Sequence, residues 1–375
     1  MQKSPLDDFL NYQLAKREGE GLIRKLRTDR LPIDFFSNDY LGLARSEQLA
    51  LTIRHSHSEH GLGNGSTGSR LLSGNHLFTE EVEARLSKIF RSEACLIFNS
   101  GYAANLAVLS AVPQKGDTIL YDNLSHASLK DGARLSLATR HSFRHNDLSD
   151  LEQKIRMAKG KVFVVIESIY SMDGDTCPLR EIIAIAERYN AFIILDEAHS
   201  TGVIGDGGAG FGVEQKLHDK IDIRIYTFGK AMGVHGACVA GSMSLIKYLV
   251  NFSRPFIYTT APSPHQVMSI DCSFRFLASN THLQEVLQKK IQLYLSSCGD
   301  LRNRTASDSA IQTVLCPGND NAKQIAARLQ QAGFDVRPIL YPTVLKGTER
   351  LRICLHSFNR DEDISSLTTM IKGIM

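Results

Sequence analysis

Between residues 79 and 241, short and nearly uninterrupted apolar runs alternate with longer stretches whose apolar residues recur every three or four positions. Runs of the first kind suit strands buried on both faces, and those of the second suit amphipathic helices laid over them. The pattern predicts helix 79–91, strand CLIF ending at Phe98, helix SGYAANLAVLSAV, strand TILYD, helix 127–138 and strand HSFRH. It continues with helix 148–158, strand KVFVVIES, helix 179–190, strand AFIILDEA, and the further strands DIRIYTF and GACVAG. Such alternation predicts an α/β fold with a large, mostly parallel sheet.

After about residue 265 the rhythm changes. A long helical stretch leads to IQTVL, helix 321–332, strands DVRPIL and RLRICLH, and helix 361–374, which together predict a small C-terminal α+β unit. Upstream, residues 5–28 read as a charged helix, 34–37 as a short strand, and the Gly-, Ser- and His-rich 55–76 as loop. The expected organisation is an N-terminal helix and strand segment over 1–50, a large domain over 51–280 and a small domain over 281–375.

The 375 residues carry a net charge of +3, which gives no footprint for nucleic acid. Hydrophobic residues make up 43%, enough apolar surface to offset chain entropy. The seven cysteines form no C-x-x-C pair, so no zinc or other metal site is expected and a reducing compartment is. The opening residues mix charges of both signs, unlike a signal peptide, and no apolar run approaches the ~20 residues of a membrane span. A soluble, cytoplasmic protein without a membrane or nucleic-acid partner is the expectation.

Two glycine clusters invite a nucleotide-binding reading. GLGNGSTG (61–68) follows no apolar strand, and GDGGAGFG (205–212) leads into no evident helix. Gly229-Lys230 is followed by Ala231, where a P-loop needs Ser or Thr. Tight or mobile loops account for them better.

Other segments carry more chemistry. FNSGYAAN (98–105) ends a strand and opens a helix near Ser100, a place suited to a phosphate; Ser100 as a plain cap is the simpler reading. DEAHS (196–200) puts Asp196 at the tip of a strand, where α/β sheets place their sites, although Asp196 and His199 also suit a capped turn. Lys230 in TFGKAMG, elsewhere a surface residue, has apolar neighbours Phe228, Ala231 and Met232 that would desolvate its amine. His126 follows strand TILYD and reads either as a helix cap or as an imidazole against a ring. Together, a phosphate site, a strand-end Asp and a desolvated Lys are what is needed to hold pyridoxal 5′-phosphate.

With SNDYLGL (37–43), GNGSTGSRLLSGNH (63–76), LSHASL (124–129), ESIYSMDGD (167–175), LDEAHSTGVIG (195–205) and PTVLKGTERLRI (342–353), these segments run through nearly the whole chain. In that order the chain resembles the α-oxoamine synthase family of pyridoxal-phosphate enzymes. The resemblance implies fold type I, the aspartate aminotransferase-like architecture, and a homodimer with active sites at the subunit interface. It gives Lys230 the Schiff base and proton transfer, Asp196 the pyridinium nitrogen, His199 a hydrogen bond near the phenolic oxygen, and His126 the ring face. Gly101, Tyr102 and Thr227 correspond to phosphate contacts and Ser171 to a further cofactor contact. Asn38 and Arg352 correspond to the groups holding the amino-acid carboxylate, Thr343 to another substrate contact, and Arg24 to an N-terminal substrate arginine, with Arg27 an equal candidate.

The implied reaction is a decarboxylative condensation of an amino acid with an acyl thioester, on coenzyme A or an acyl carrier protein. Leu340-Tyr341 stands where some relatives have an arginine, and Arg337, on the opposite strand face, could compensate. Leu71 in Gly68-Ser69-Arg70-Leu71 replaces the Asn that serves a short succinyl group, so a longer acyl chain is favoured. The resemblance therefore implies L-alanine and a pimeloyl thioester, on the route to biotin. The alternatives are glycine with acetyl-CoA or serine with a long acyl-CoA. An aminotransferase and a non-catalytic subunit fit the motifs less well.

Overall fold

Strand-forming runs buried on both faces build the centre of the protein. The structure, a computed structural model, describes residues 4–26, 28–299, 301 and 303–375. Seven strands form the main sheet: β1 (Ala94–Phe98), β2 (Thr118–Asp122), β3 (Thr139–Phe143), β4 (Val162–Glu167), β5 (Phe192–Asp196), β6 (Ile223–Thr227) and β7 (Ala237–Gly241). Their order is β1-β7-β6-β5-β4-β2-β3, parallel throughout except β7, which runs against both neighbours.

Side-chain alternation divides the sheet into two apolar layers. Phe163, Val165, Ile194, Ile223 and Ile225 join one core with Ala104, Ala107 and Val108 of helix Gly101–Ala111. Val162, Val164, Ile166, Ile193 and Leu195 join another with helix Leu179–Tyr189. Each such side chain contributes about 1.5–3 kcal/mol by leaving water. The same alternation carries Glu167, Asp196 and Thr227, at the C-terminal ends of β4, β5 and β6, onto the face under helix Gly101–Ala111.

A second sheet, β8 (Ile311–Leu315), β9 (Arg337–Ile339) and β10 (Arg350–Cys354), is antiparallel in the order β9-β10-β8. Ile33–Asp34 pairs in parallel with Phe334–Asp335. The segment that follows hangs on β10: Cys354 N donates to Phe35 O and Ser357 N to Tyr40 O, both at 2.8 Å. Residues 37–45 therefore span from the small sheet to the main one.

Four local expectations need correction. The first helix is Pro5–Gly19 and does not reach residue 28, because Gly21 takes a left-handed φ of 68°. Leu22 N then bonds Arg17 O and Gly21 N bonds Glu18 O, a Schellman stop. Residues 55–59, expected as loop, complete helix Glu47–Glu59, which Ser46 caps and which packs on helix Pro264–Ser279. DVRPIL is split, since Phe334–Asp335 pairs with the N-terminal segment and Arg337–Ile339 with β10. GDGGAGFG does lead into a helix, the short Phe211–Glu214, but the amides of Phe211 and Gly212 are occupied by Glu197 at 3.0 and 2.8 Å. Among the described residues, no helix is long and apolar enough to cross a membrane.

The loop after β4 carries Ser171 and is pinned by an ion cluster. His145 bonds Asp122 through Nδ1 at 3.0 Å and Asp175 through Nε2 at 2.7 Å. Burial opposes charge on this ring, but the two carboxylates prevail and raise its pKa to about 10. With both nitrogens donating, the imidazolium is the stable form. Because the folded pKa lies above the free value of about 6.5, the gain is complete below that pH and gone once pH passes about 10. His145→Ala is expected to cost about 3 kcal/mol in urea unfolding at pH 6.5. The difference from wild type should shrink steadily toward pH 10; a difference unchanged across that range would contradict the charged cluster.

Candidate active site

The C-terminal strand ends, the start of helix Gly101–Ala111 and the turn after β6 enclose a cavity of about 280 Å³. Asn38, Gly101, Tyr102, His126, Asp196, His199, Thr227 and Lys230 all line it, so eight of the expected residues meet in one place. A larger cavity, about 760 Å³, lies at the opposite ends of the strands among Lys161, Phe192, Ile223 and Arg224. It includes none of the expected residues. Chemistry, and not size, selects the site.

Asp196 is only 4% exposed. Asn105 Nδ2 donates to its Oδ2 at 2.8 Å, and Ala198 N to its Oδ1 at 2.8 Å, so the capped turn and the aimed carboxylate coexist. Asn105 Nδ2 also reaches Ser128 Oγ at 2.9 Å, and Ser128 Oγ lies 2.7 Å from His126 Nδ1. His126 both caps helix Ala127–Leu135 and fronts the cavity. Burial lowers its pKa, aided by Lys230 and opposed by Asp196, which keeps the ring neutral.

Glu167 stands beside Asp196, in register on the adjoining strand, and accepts the backbone N–H of His126. Burial, reinforced by the Asp196 charge, raises its pKa to about 8. Neither Glu167 nor Asn105 was singled out from the sequence. The available signal for Glu167 was an acid closing an otherwise apolar strand.

Lys230 sits in the turn joining β6 to β7. Phe228 N donates to Gly236 O at 2.9 Å and Val234 N to Phe228 O at 3.0 Å, so the turn is tight. Gly233 has φ 67°, and a Cβ there would lie 2.3 Å from Ala44 N. Burial pulls the Lys230 pKa down to about 8, although Asp196 and Glu167 resist. Its Nζ is 2.8 Å from His199 Nε2. The His199 pKa falls well below its ordinary value through burial, then through Lys230 and Arg352.

Beyond His199, Nδ1 lies 2.8 Å from the Tyr40 hydroxyl, itself 3.1 Å from Asn38 Oδ1. Arg352 Nη2 donates to that same Oδ1 at 3.0 Å, and its Nε donates to Ser171 O at 2.6 Å. Arg352 thus reaches the site through Asn38. Ser171 meets Arg352 through its carbonyl and does not line the cavity. Arg24 and Thr343 are exposed and lie apart from the cavity, and Arg27 falls outside the described residues. Arg337 is opposite Arg352 in the β9–β10 register but is committed to Asp335 at 2.6 Å, so it does not replace the missing arginine near Tyr341.

Pyridoxal 5′-phosphate asks a protein for phosphate donors, a carboxylate for the ring nitrogen and an amine for the aldehyde. The buried Thr227 Oγ1 has no hydrogen-bond partner among the described residues. A Cβ on Gly101 would lie 2.3 Å from Thr227 Cγ2, so glycine alone lets this helix start approach so closely. Gly101 and Tyr102 belong to the helical turn whose amides have no intrahelical acceptor, while Ser100 Oγ takes the Ala103 amide at 3.2 Å. The residues fit the group.

The lowered Lys230 pKa has a measurable consequence. Only the uncharged amine attacks an aldehyde, so the rate at which apoenzyme takes up pyridoxal phosphate should rise with pH through a midpoint near 8. A midpoint near the free-lysine value of about 10.4 would rule out a desolvated amine at this position.

A family model described as aminotransferase class I and II matches residues 32–367. The chain is 37% identical over 340 residues to 8-amino-7-oxononanoate synthase of Chromobacterium violaceum, spanning 90% of this chain and 88% of that one. Among solved structures, serine palmitoyltransferase of Sphingomonas wittichii superposes with TM-score 0.89 at 26% identity, covering 99% of this chain and 98% of the other. 8-amino-7-oxononanoate synthase from Francisella tularensis superposes with TM-score 0.79 at 28% identity, covering 91% and 97%. These likenesses and the geometry of the cavity agree: the chain belongs to the pyridoxal-phosphate-dependent aminotransferase class I and II family of fold type I, on its α-oxoamine synthase branch.

Proposed function

We propose that this chain condenses L-alanine with a pimeloyl thioester to give 8-amino-7-oxononanoate, CO2 and free thiol, as a cytoplasmic homodimer in biotin biosynthesis. The observation that carries the reading is the half-buried Lys230 amine, held at His199 in a cavity that Asp196 also lines. Pyridoxal 5′-phosphate, when bound, supplies an electron sink for the charge that develops at the substrate α-carbon.

The placement of the residues supports a role for each on the protein side of the reaction. Asp196, oriented by Asn105 and the Ala198 amide, would accept the hydrogen bond of the ring nitrogen and keep that nitrogen protonated. Gly101, Tyr102 and Thr227 would hold the phosphate, and the neutral His126 would cover the ring face. Arg352 and Asn38, already hydrogen-bonded to one another, take the alanine carboxylate as a preformed pair. With alanine bound, the Lys230 amine in its free, uncharged form would be the base that takes up the α-proton. A pKa near 8 suits an amine that must both accept and return a proton at neutral pH.

Substrate choice rests on two supports. Leu71 presents an apolar side chain, 49% exposed, in the loop where an Asn would favour a short dicarboxylate. The curated relative at 37% identity is an 8-amino-7-oxononanoate synthase. The high TM-score with a serine palmitoyltransferase keeps serine and a long acyl-CoA as the second reading.

Thiol and CO2 release, measured with alanine, glycine and serine against pimeloyl, acetyl and palmitoyl thioesters, separates the two. Alanine with the pimeloyl thioester should exceed every other pair at least tenfold, the discrimination expected when about 1.4 kcal/mol separates transition states. Turnover with serine and the long acyl thioester, without turnover of alanine, would transfer the chain to the second reading. Lys230→Ala should abolish both products and the visible absorbance of the bound cofactor.

A further inference from the structure

A continuous line of hydrogen-bonding atoms runs from the carboxylate-binding pair to the reactive amine: Arg352, Asn38, Tyr40, His199, Lys230. Tyr40 lies at its centre, is 1% exposed, and has no place among the groups that meet substrate or cofactor. Its hydroxyl has one proton and two neighbours able to accept it, Asn38 Oδ1 at 3.1 Å and His199 Nδ1 at 2.8 Å. The identity of the Asn38 atom is secure because Arg352 Nη2, which can only donate, faces it at 3.0 Å.

The remaining protons can be assigned by donor and acceptor capacity. In the cofactor-free protein at neutral pH Lys230 is an ammonium and can only donate, so His199 Nε2 accepts. A neutral His199 then has its proton on Nδ1 and donates to the Tyr40 oxygen, and Tyr40 donates to Asn38 Oδ1. All four contacts are satisfied in this direction and in no other. The role given to His199 toward the cofactor, a donor at the phenolic oxygen, needs the proton on Nε2. Nδ1 must then accept, and among the described residues the Tyr40 hydroxyl is the only donor within reach of it.

We propose that Tyr40 is a positioning residue whose hydroxyl donates to Asn38 in the cofactor-free protein and turns to His199 when the cofactor binds, fixing the His199 tautomer. The turn leaves Asn38 Oδ1 with Arg352 alone, so arrival of the cofactor at Lys230 is registered at the pair that grips the amino-acid carboxylate. This inference rests on the cofactor assignment and not on the identity of the acyl substrate.

The test uses protein labelled with ¹⁵N-histidine, with His199 assigned by comparison with His199→Gln. Long-range proton–nitrogen spectra at pH 7 report which ring nitrogen is protonated. Wild-type apoenzyme is expected to have the proton on Nδ1, and enzyme loaded with pyridoxal phosphate on Nε2. Tyr40→Phe, which keeps the ring, is expected to raise the dissociation constant for pyridoxal phosphate about tenfold, the loss of one net hydrogen bond. That constant is read by titrating the apoenzyme. The same tautomer in apo and loaded wild-type protein would overturn the proposal, as would Tyr40→Phe binding the cofactor as tightly as wild type. Neither readout involves turnover, so failure of the alanine and pimeloyl assignment would leave both intact.

Discussion

Two acids closing adjacent strands on one face of a sheet, both nearly out of contact with water, set the terms for everything around them. Glu167 and Asp196 are paired in register, 2% and 4% exposed. A pair of carboxylates so placed repel one another, and burial costs each several kcal/mol unless donors and cations surround them. Much of the site answers that demand. Asn105 and the Ala198 amide bond Asp196, the His126 amide bonds Glu167, and the raised pKa of Glu167 favours its uncharged form. Lys230 stands in the same field. Burial by itself moves lysines down by as much as 3–5 units, so a value of about 8 reflects burial opposed by the two acids. Under the role proposed for Asp196, a cationic ring nitrogen beside it would complete the balance of charge.

How much of this could be read from residue order depends on the range of each interaction. Strand TILYD occupies its five expected residues, and most main-sheet strands lie within a residue or two of expectation, because period-2 burial is a local pattern. Lys230, Asp196 and His126 were legible for a related reason: each follows an apolar strand, and a parallel sheet gathers such positions along one rim. Tyr40 was not legible. Its partner His199 is 159 residues away, and no local pattern separates a tyrosine that bonds a histidine from one that fills a core. Asn105 looked like one more residue of an apolar helix until the helix was laid over β5. Helix Glu47–Glu59 was missed because His and Ser suggest loop by composition, whereas its apolar positions face helix Pro264–Ser279.

The small sheet adds a grip that the main sheet lacks. Arg352 is buried in the central strand β10 and fixed by Ser171 O and Asn38, so its guanidinium is held in one orientation, as the carboxylate-binding role proposed for it would require. Preorganisation of that kind reduces the ordering cost of binding. Arg350, two residues earlier on the same strand, is instead committed to Asp173 of the loop after β4. The loop pinned by His145 and the strand holding Arg352 therefore brace one another.

The glycine at 233 has an effect that reaches past its own turn. Because its Cα rests against the backbone of Leu43 and Ala44, the hairpin bearing the lysine and the stretch bearing Asn38 and Tyr40 share one point of mechanical contact. Displacement of either is transmitted to the other through this contact. Any change that shifts residues 37–45 at this joint also shifts the turn that sets where the Lys230 amine stands.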